Sequence, residues 1–290
     1  MTYPPSYPPA GQPEQQSPAP AEAAPDSRWV RIKRPSAKPV VTYVILGLTI
    51  LVYILQELTR IGIAREPFIL LGQLAFGQEL FQEFLARGWG DSLLTLLGGK
   101  ISVLIDAGQY WRLITPVLLH ASLVHIGFNM YALYSIGPSL EGYYGHKRFL
   151  ALYLLTGFGG NLLSYLLSEG VSVGASTAIF GLVAAEGVFI YQNRKIFGPQ
   201  ARAMLGNVIM VVAINLVLGL SPGIDNWGHL GGLITGAIFG WFAGPKLEVT
   251  FNYPDYELID QRSPVIAWLT VIVLFFLLAG VVVLRLFSVV

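Results

Sequence analysis

Gly174-Ala175-Ser176-Thr177-Ala178-Ile179-Phe180-Gly181 sets one serine between small residues at the head of an apolar run. The run, 176–191, is long enough for most of a membrane helix. A serine so placed sits at a helix N-terminus, where the first backbone N–H groups lack intrahelical partners and the helix dipole is positive. An alkoxide or an oxyanion is stabilised there. Small-x-small patterns also serve close helix packing in membranes. The meaning of the octamer therefore depends on what other segments bring to the same depth.

The rest of the chain sets the frame. Of its 290 residues, 54% are hydrophobic and 12% charged, about half the charge of soluble domains. A net charge of +1 offers no basic footprint for nucleic acid. The chain has no cysteine, which excludes a disulfide framework and thiolate metal sites. Several apolar runs of about 20 residues predict an all-α polytopic membrane protein. The N-terminus lacks the basic n-region and short apolar core of a cleavable signal, so the first apolar segment is expected to be a retained helix.

Residues 1–38 read as a disordered, Pro-rich cytoplasmic tail; with Pro39 they hold ten of the 18 prolines, among Gln, Ser and Ala. Arg28, Arg31, Lys33, Arg34 and Lys38 gather before the first span and hold the N-terminus inside by the positive-inside rule. The first helix is expected at 40–56. Segment 57–112 follows as an interfacial first loop, with Leu70, Leu74, Phe81, Phe84 and Leu85 at helical spacing against Gln73, Glu79, Gln82 and Glu83.

The next apolar stretch, from Ile114, is too long for one crossing. Pro116 disfavours helix at Thr115, and Ser122 is a good N-cap. The second helix is therefore placed at 122–143, with Pro138 expected to kink its last turns, and the residues before it dip into the membrane as a covered loop. Further spans are predicted at 149–168, 176–191, 203–220 and 227–243. A cytoplasmic loop at 245–264 leads to a last helix at 265–284, opened by Ser263-Pro264. Seven spans leave the C-terminus outside, and most Lys and Arg fall on the inner side.

In this topology helices two, four and six all begin outside. The first brings His125 and Asn129 in its first two turns, the second Ser176 at its tip, the third His229 in its first turn. At 1.5 Å per residue all lie within roughly 10 Å of the outer ends of their helices. Polar residues inside a membrane are costly and commonly line a functional cavity. Gly181 on helix four, and Gly232, Gly236 and Gly240 on helix six, are small faces that let two backbones come close. If they touch, Ser176 and His229 can share a hydrogen bond. Phe180, one turn below Ser176 on the same face, can stack on the imidazole.

Trp111-Arg112, then His120-x4-His125-x3-Asn129, then Gly174-x-Ser176, then His229-x-x-Gly232-x-x-x-Gly236 resemble the signature of the rhomboid intramembrane serine proteases. The ordered set runs from about Gly108 to Gly244. The resemblance implies a six-helix core at 39–244 with one additional C-terminal transmembrane helix within 265–290, a 6+1 arrangement, in the plasma (inner) membrane. It implies cleavage of transmembrane protein substrates in or near the bilayer by a Ser176–His229 dyad, with no cofactor and no metal. The Ser176 N–H, His125 and Asn129 would hold the oxyanion, and His120 would organise hydrolytic water. Trp111 and Arg112 would brace the first loop. The fifth helix, or the loop after it, would act as a gate over the site.

No carboxylate is placed as a third member, since Asp225 falls in the loop before His229, so the pair reads as a dyad. One departure from the family pattern stands out. The residue after the serine, often glycine in this family, is Thr177, whose side chain is expected to narrow the substrate cleft or to shift specificity, without removing a catalytic group. Glu186 lies about 15 Å below Ser176 and is expected to pair with an inner-side group. Glu141 and Gly145 read as a turn organiser, and Asn161, Asn207 and Asn215 as interhelical hydrogen bonders. Three other readings compete: a silent relative that escorts membrane clients, a zinc site of His120, His125 and His229, and a transporter, for which internal repeats are missing. The oligomeric state and the identity of the substrate are not legible.

Overall fold

A computed structural model of the chain describes residues 32–33, 37–63, 65–79, 82, 98–253 and 255–289. The protein is mostly helical. Helix α1 spans Val40–Arg60, α2 Arg65–Phe76 and α3 Ser102–Asp106. Two 3-10 turns, Tyr110–Leu113 and Thr115–Leu118, precede α4, Leu123–Tyr144. Then come α5, His146–Leu167, α6, Ser176–Gln192, the short α7, Arg194–Phe197, α8, Gln200–Leu218, α9, Asn226–Ala243, and α10, Pro264–Val289. Four of these, α1, α5, α8 and α10, have the length and apolarity of a bilayer crossing; α6 is apolar but shorter. Phe81, Glu83, Phe84 and Leu85 of the expected interfacial helix lie outside the described residues. Within α2, Leu70 and Leu74 are exposed.

The ends of α4 follow from local chemistry. Ser122, in extended conformation, accepts a hydrogen bond from His125 N at 3.2 Å and caps the helix. The loop before it is covered by protein, as expected. Pro116 O accepts from Gly174 N at 2.9 Å, and Leu113 O from Asn161 Nδ2 at 3.1 Å. At the other end Gly145, at φ 74°, closes a tight turn into α5. Glu141, fully buried beside that turn, accepts from Val41 N at 2.9 Å, Thr42 N at 2.8 Å, Thr42 Oγ1 at 2.6 Å and His146 Nδ1 at 2.5 Å. A carboxylate therefore sits on the positive end of α1 and ties α1 to the α4–α5 turn.

Helix α6 is the centre of the bundle, packed on α9, α5, α8 and α4. Its contact with α9 is backbone on backbone. A Cβ on Gly232 would lie 2.0 Å from Thr177 O, and one on Gly236 would lie 2.1 Å from Gly181 O. On the α5 side, a Cβ on Gly181 would lie 2.2 Å from Thr156 Cβ. Side chains larger than hydrogen are excluded at these crossings, as the glycine spacing implies. By contrast α8 packs on α6 and α7 and is open elsewhere; 6% of its apolar window is buried.

Several features depart from the sequence reading. Where 245–264 reads as a loop, β2, Leu247–Asn252, and β3, Asp255–Asp260, form an antiparallel hairpin. Ile32–Lys33, within the segment read as a disordered tail, forms β1 and pairs parallel with β3, in the order β1-β3-β2. The alternation Val249-x-Phe251 and Tyr256-x-Leu258 is a strand signal that reads weakly between two long apolar runs. Asn215, expected to reach another helix, donates instead to Val211 O on its own helix at 2.8 Å. Asn207 is exposed on α8.

Candidate active site

Ser176 is the first residue of α6, and His229 lies in the first turn of α9, whose start is capped by Asp225 through Gly228 N at 2.9 Å. The glycine-mediated approach of α6 and α9 brings the two side chains together: Ser176 Oγ lies 2.9 Å from His229 Nε2. The imidazole stacks on Phe180, with ring centroids 4.1 Å apart and planes 11° apart. With Nδ1 protonated, the serine hydroxyl donates to Nε2. No hydrogen bond reaches His229 Nδ1 among the described residues. Asp225 is occupied at the helix cap, as its place in the loop suggests.

The other expected residues surround this pair. Gly174, at φ 133°, carries the chain into Ser176 in a conformation that favours glycine. A Cβ there would lie 2.8 Å from His125 Nε2 and 3.6 Å from Ser176 Oγ, so the imidazole of His125 closes over the loop beside the serine. Asn129, buried one turn further along α4, donates through Nδ2 to His125 O at 3.0 Å. His120 is buried, its ring 5.0 Å from that of His125 in an edge arrangement. Its Nε2 accepts from Ala175 N at 3.4 Å, which holds the residue just before the serine. Arg112 is buried and donates to Gly99 O at 2.6 Å and Gln109 Oε1 at 2.8 Å, while Trp111 is half exposed. Burial lowers the Arg112 guanidinium to about 10.

Thr177 does not line a cleft. It is buried, with its Cβ and Cγ2 in the notch left by Gly160 and Gly228. The expected narrowing is corrected: the first turn of α6 points this side chain toward α5 and α9. Glu186 likewise departs from expectation, with no hydrogen bond or ion pair among the described residues.

Two residues escape sequence reasoning. Gln56 of α1 clamps the His120 backbone in both directions: its Oε1 accepts from His120 N at 3.0 Å and its Nε2 donates to His120 O at 3.3 Å. Lys100, fully buried, donates to Ser168 O at 2.6 Å and Gly170 O at 2.8 Å, and its backbone bridges Ser172. It fastens the first loop to the α5–α6 connection. Burial pushes the ammonium down to about 8, with Asp225 acting in the opposite sense. Partners more than sixty residues away leave no local pattern for either.

A mostly helical, polytopic membrane protein with a hydrogen-bonded serine and histidine held between two helices is the class these features define. A family profile described as Rhomboid domain matches residues 107–246. The chain carries a rhomboid domain over that stretch. It is similar to Rhomboid protease GluP of Bacillus subtilis (strain 168), 36% identical over 202 residues, covering 69% of this chain and 34% of that protein. It is also similar to RHOMBOID-like protein 1 of Arabidopsis thaliana, 39% identical over 60% of this chain and 44% of the relative. RHOMBOID-like protein 5 of Arabidopsis thaliana is 37% identical over 68% of this chain and 65% of the relative. The chain thus spans between about a third and two thirds of the length of these curated relatives.

Proposed function

We propose that the protein is an intramembrane serine endopeptidase that hydrolyses peptide bonds in or near transmembrane segments of membrane proteins. The observation that carries this reading is the 2.9 Å contact of Ser176 Oγ with His229 Nε2, made between separate helices and steadied by the Phe180 stack.

Ser176 Oγ attacks the scissile carbonyl carbon while His229 Nε2 takes the hydroxyl proton. The same proton passes to the leaving amine as the C–N bond breaks. Water then attacks the Ser176 ester, giving its proton to His229; the imidazolium returns that proton to Ser176 Oγ as the ester C–O bond breaks, and the acid product leaves. The oxyanion meets the Ser176 N–H at the positive end of α6 and donors from His125 and Asn129. A single such donor is worth roughly 3–4 kcal/mol in the transition state. These steps balance with water alone and call on no cofactor.

The topology proposed with this function is the 6+1 arrangement. Helices α1, α4, α5, α6, α8 and α9 form the core within 39–244, and α10 is the added helix. The N-terminus is cytoplasmic and the C-terminus outside, in the plasma (inner) membrane. The hairpin and the inner ends of α4, α6 and α9 then face the cytoplasm. Substrates are single-pass proteins presented within the bilayer.

The test is direct. Purified protein in proteoliposomes is expected to cleave a single-pass substrate and to label with a serine-directed phosphonate, and Ser176→Ala is expected to abolish both. Labelling that survives in Ser176→Ala removes Ser176 as nucleophile. Loss of cleavage on chelation favours a metal site instead.

A further inference from the structure

Ten residues beyond Ser176, near the other end of α6, Glu186 lines a cavity of about 210 Å³. Its walls are Ser139 and Tyr143 of α4, Glu186 of α6, Phe197 of α7, and Gln200 and Met204 of α8. Helix α8 leans on α6 and is largely unburied elsewhere, and the cavity is lined from both α4 and α8. The carboxylate is half-buried and, among the described residues, has no hydrogen bond or ion pair. An ionisable side chain inside a membrane span marks a functional site by default. A carboxylate there calls for a cation.

We propose that this cavity is a subsite for a Lys or Arg side chain at the cytoplasmic end of a substrate's transmembrane helix, and that Glu186 pairs with it. The proposal rests on the protease reading. Three observations fix the occupant. The first is charge: single-pass helices carry Lys and Arg at their cytoplasmic ends, and the free group here is an acid. The second is size, since the cavity is smaller than the roughly 300 Å³ at which small-molecule pockets begin and suits one side chain. The third is register. Ser176 and Glu186 are about 15 Å apart along one helix. A substrate helix lying beside α6 covers that distance in about ten residues, and a long flexible side chain adds about a turn. The base is therefore expected about 10–14 residues beyond the cleaved bond. The outer end of α6 holds the bond to be cut and its inner end measures where the helix leaves the membrane.

The experiment uses the full chain carrying Ser176→Ala in lipid nanodiscs. The probe is a synthetic Leu/Ala-rich transmembrane peptide with a Gly-Ala pair near its outer end. One version carries Lys about twelve residues beyond that pair, and its twin carries Gln. The Lys peptide is expected to bind about tenfold tighter, equivalent to about 1.4 kcal/mol. Glu186→Gln is expected to bring the two within twofold, and Glu186→Lys to prefer a Glu peptide. Moving the Lys along the peptide, with Glu186 intact, is expected to give a maximum rather than a flat profile. The proposal is overturned if the preference persists in Glu186→Gln, if that change weakens both peptides alike, or if the profile is flat. It is also overturned if affinity follows the phosphatidylethanolamine content of the disc, which assigns the site to a lipid ammonium. Binding is read without catalysis, so a wild-type chain that cleaves nothing defeats the protease reading and leaves this result standing on its own.

Discussion

Gly236→Ala places a methyl group where α9 touches α6 through backbone alone. The added Cβ would lie 2.1 Å from Gly181 O, 2.6 Å from Gly181 Cα and 2.7 Å from Gly181 C, whereas ordinary contact begins at 3.4 Å. No side chain can swing aside, so the two helices must part by about 1 Å at this crossing. Gly236 is seven residues, about 10 Å, from His229 along α9, and itself touches neither Ser176 nor the imidazole. The Ser176–His229 contact is 2.9 Å, and a parting of that size stretches it to about 3.9 Å, too long for a hydrogen bond. A misplacement of about 1 Å is enough to lower turnover on the order of 100-fold. Overpacking of this kind costs about 1–3 kcal/mol, less than the 5–15 kcal/mol typical of a folded domain, so the variant is expected to stay folded. The assay is cleavage of a single-pass substrate in proteoliposomes, beside thermal unfolding followed by circular dichroism. Gly206→Ala on α8, where an added Cβ meets nothing within 4 Å, is the matched control and is expected to cleave like the parent. A folded Gly236→Ala within threefold of wild type refutes the claim that backbone approach sets the site.

Phe180→Ala removes the ring stacked on His229 and is expected to lower kcat about 10- to 100-fold with little change in KM, while Phe180→Tyr retains most of the rate; the stack is worth about 0.5–1.5 kcal/mol, and the remainder is lost orientation. Glu141→Gln leaves the first N–H groups of α1 facing an amide in place of a carboxylate, so a loss of about 3 kcal/mol is expected in reversible unfolding; an unchanged midpoint shows that the Glu141 cluster does not hold α1. Lys100 has its folded-state value lowered from 10.5 to about 8, so between these values the unfolded chain binds more protons and stability rises with pH. The gain is about 3 kcal/mol from pH 8 to 10.5, and Lys100→Met is expected to flatten this slope.

How much of this was legible depends on the range of the interactions. Ser176, Phe180, His229 and the glycine faces announce themselves because helical periodicity and membrane depth are local properties, and two matching depths suffice to bring them together. The start of α4 at Leu123, one residue beyond the Ser122 cap, was readable for the same reason. Lys100 and Gln56 were not, because their partners are backbone groups in loops far along the chain, and a backbone carbonyl leaves no mark in a sequence. The β2–β3 hairpin lay hidden between α9 and α10, whose hydropathy dominates any window that includes them. The inward place of Thr177 has no local mark either, because its position after the serine suggests the cleft, while the turn of α6 directs it into the Gly160–Gly228 notch.

The bundle divides between a fixed side and a yielding one. On one side α5, α6 and α9 meet through glycines that leave backbone in contact with backbone, so the Ser176–His229 distance is set by main-chain packing. On the other side α8 is held by α6 and α7 and is largely unburied. A membrane protease needs both properties at once, since a transmembrane substrate must enter sideways from lipid while the reacting atoms stay within tenths of an ångström. Helix α6 belongs to both sides, with the serine at its N-terminal tip and Glu186 ten residues further on, beside the open face. If entry occurs beside α8, tethering α8 to α4 by an engineered disulfide across the cavity should slow cleavage of a transmembrane substrate and spare phosphonate labelling, and equal loss of both would place the access route elsewhere.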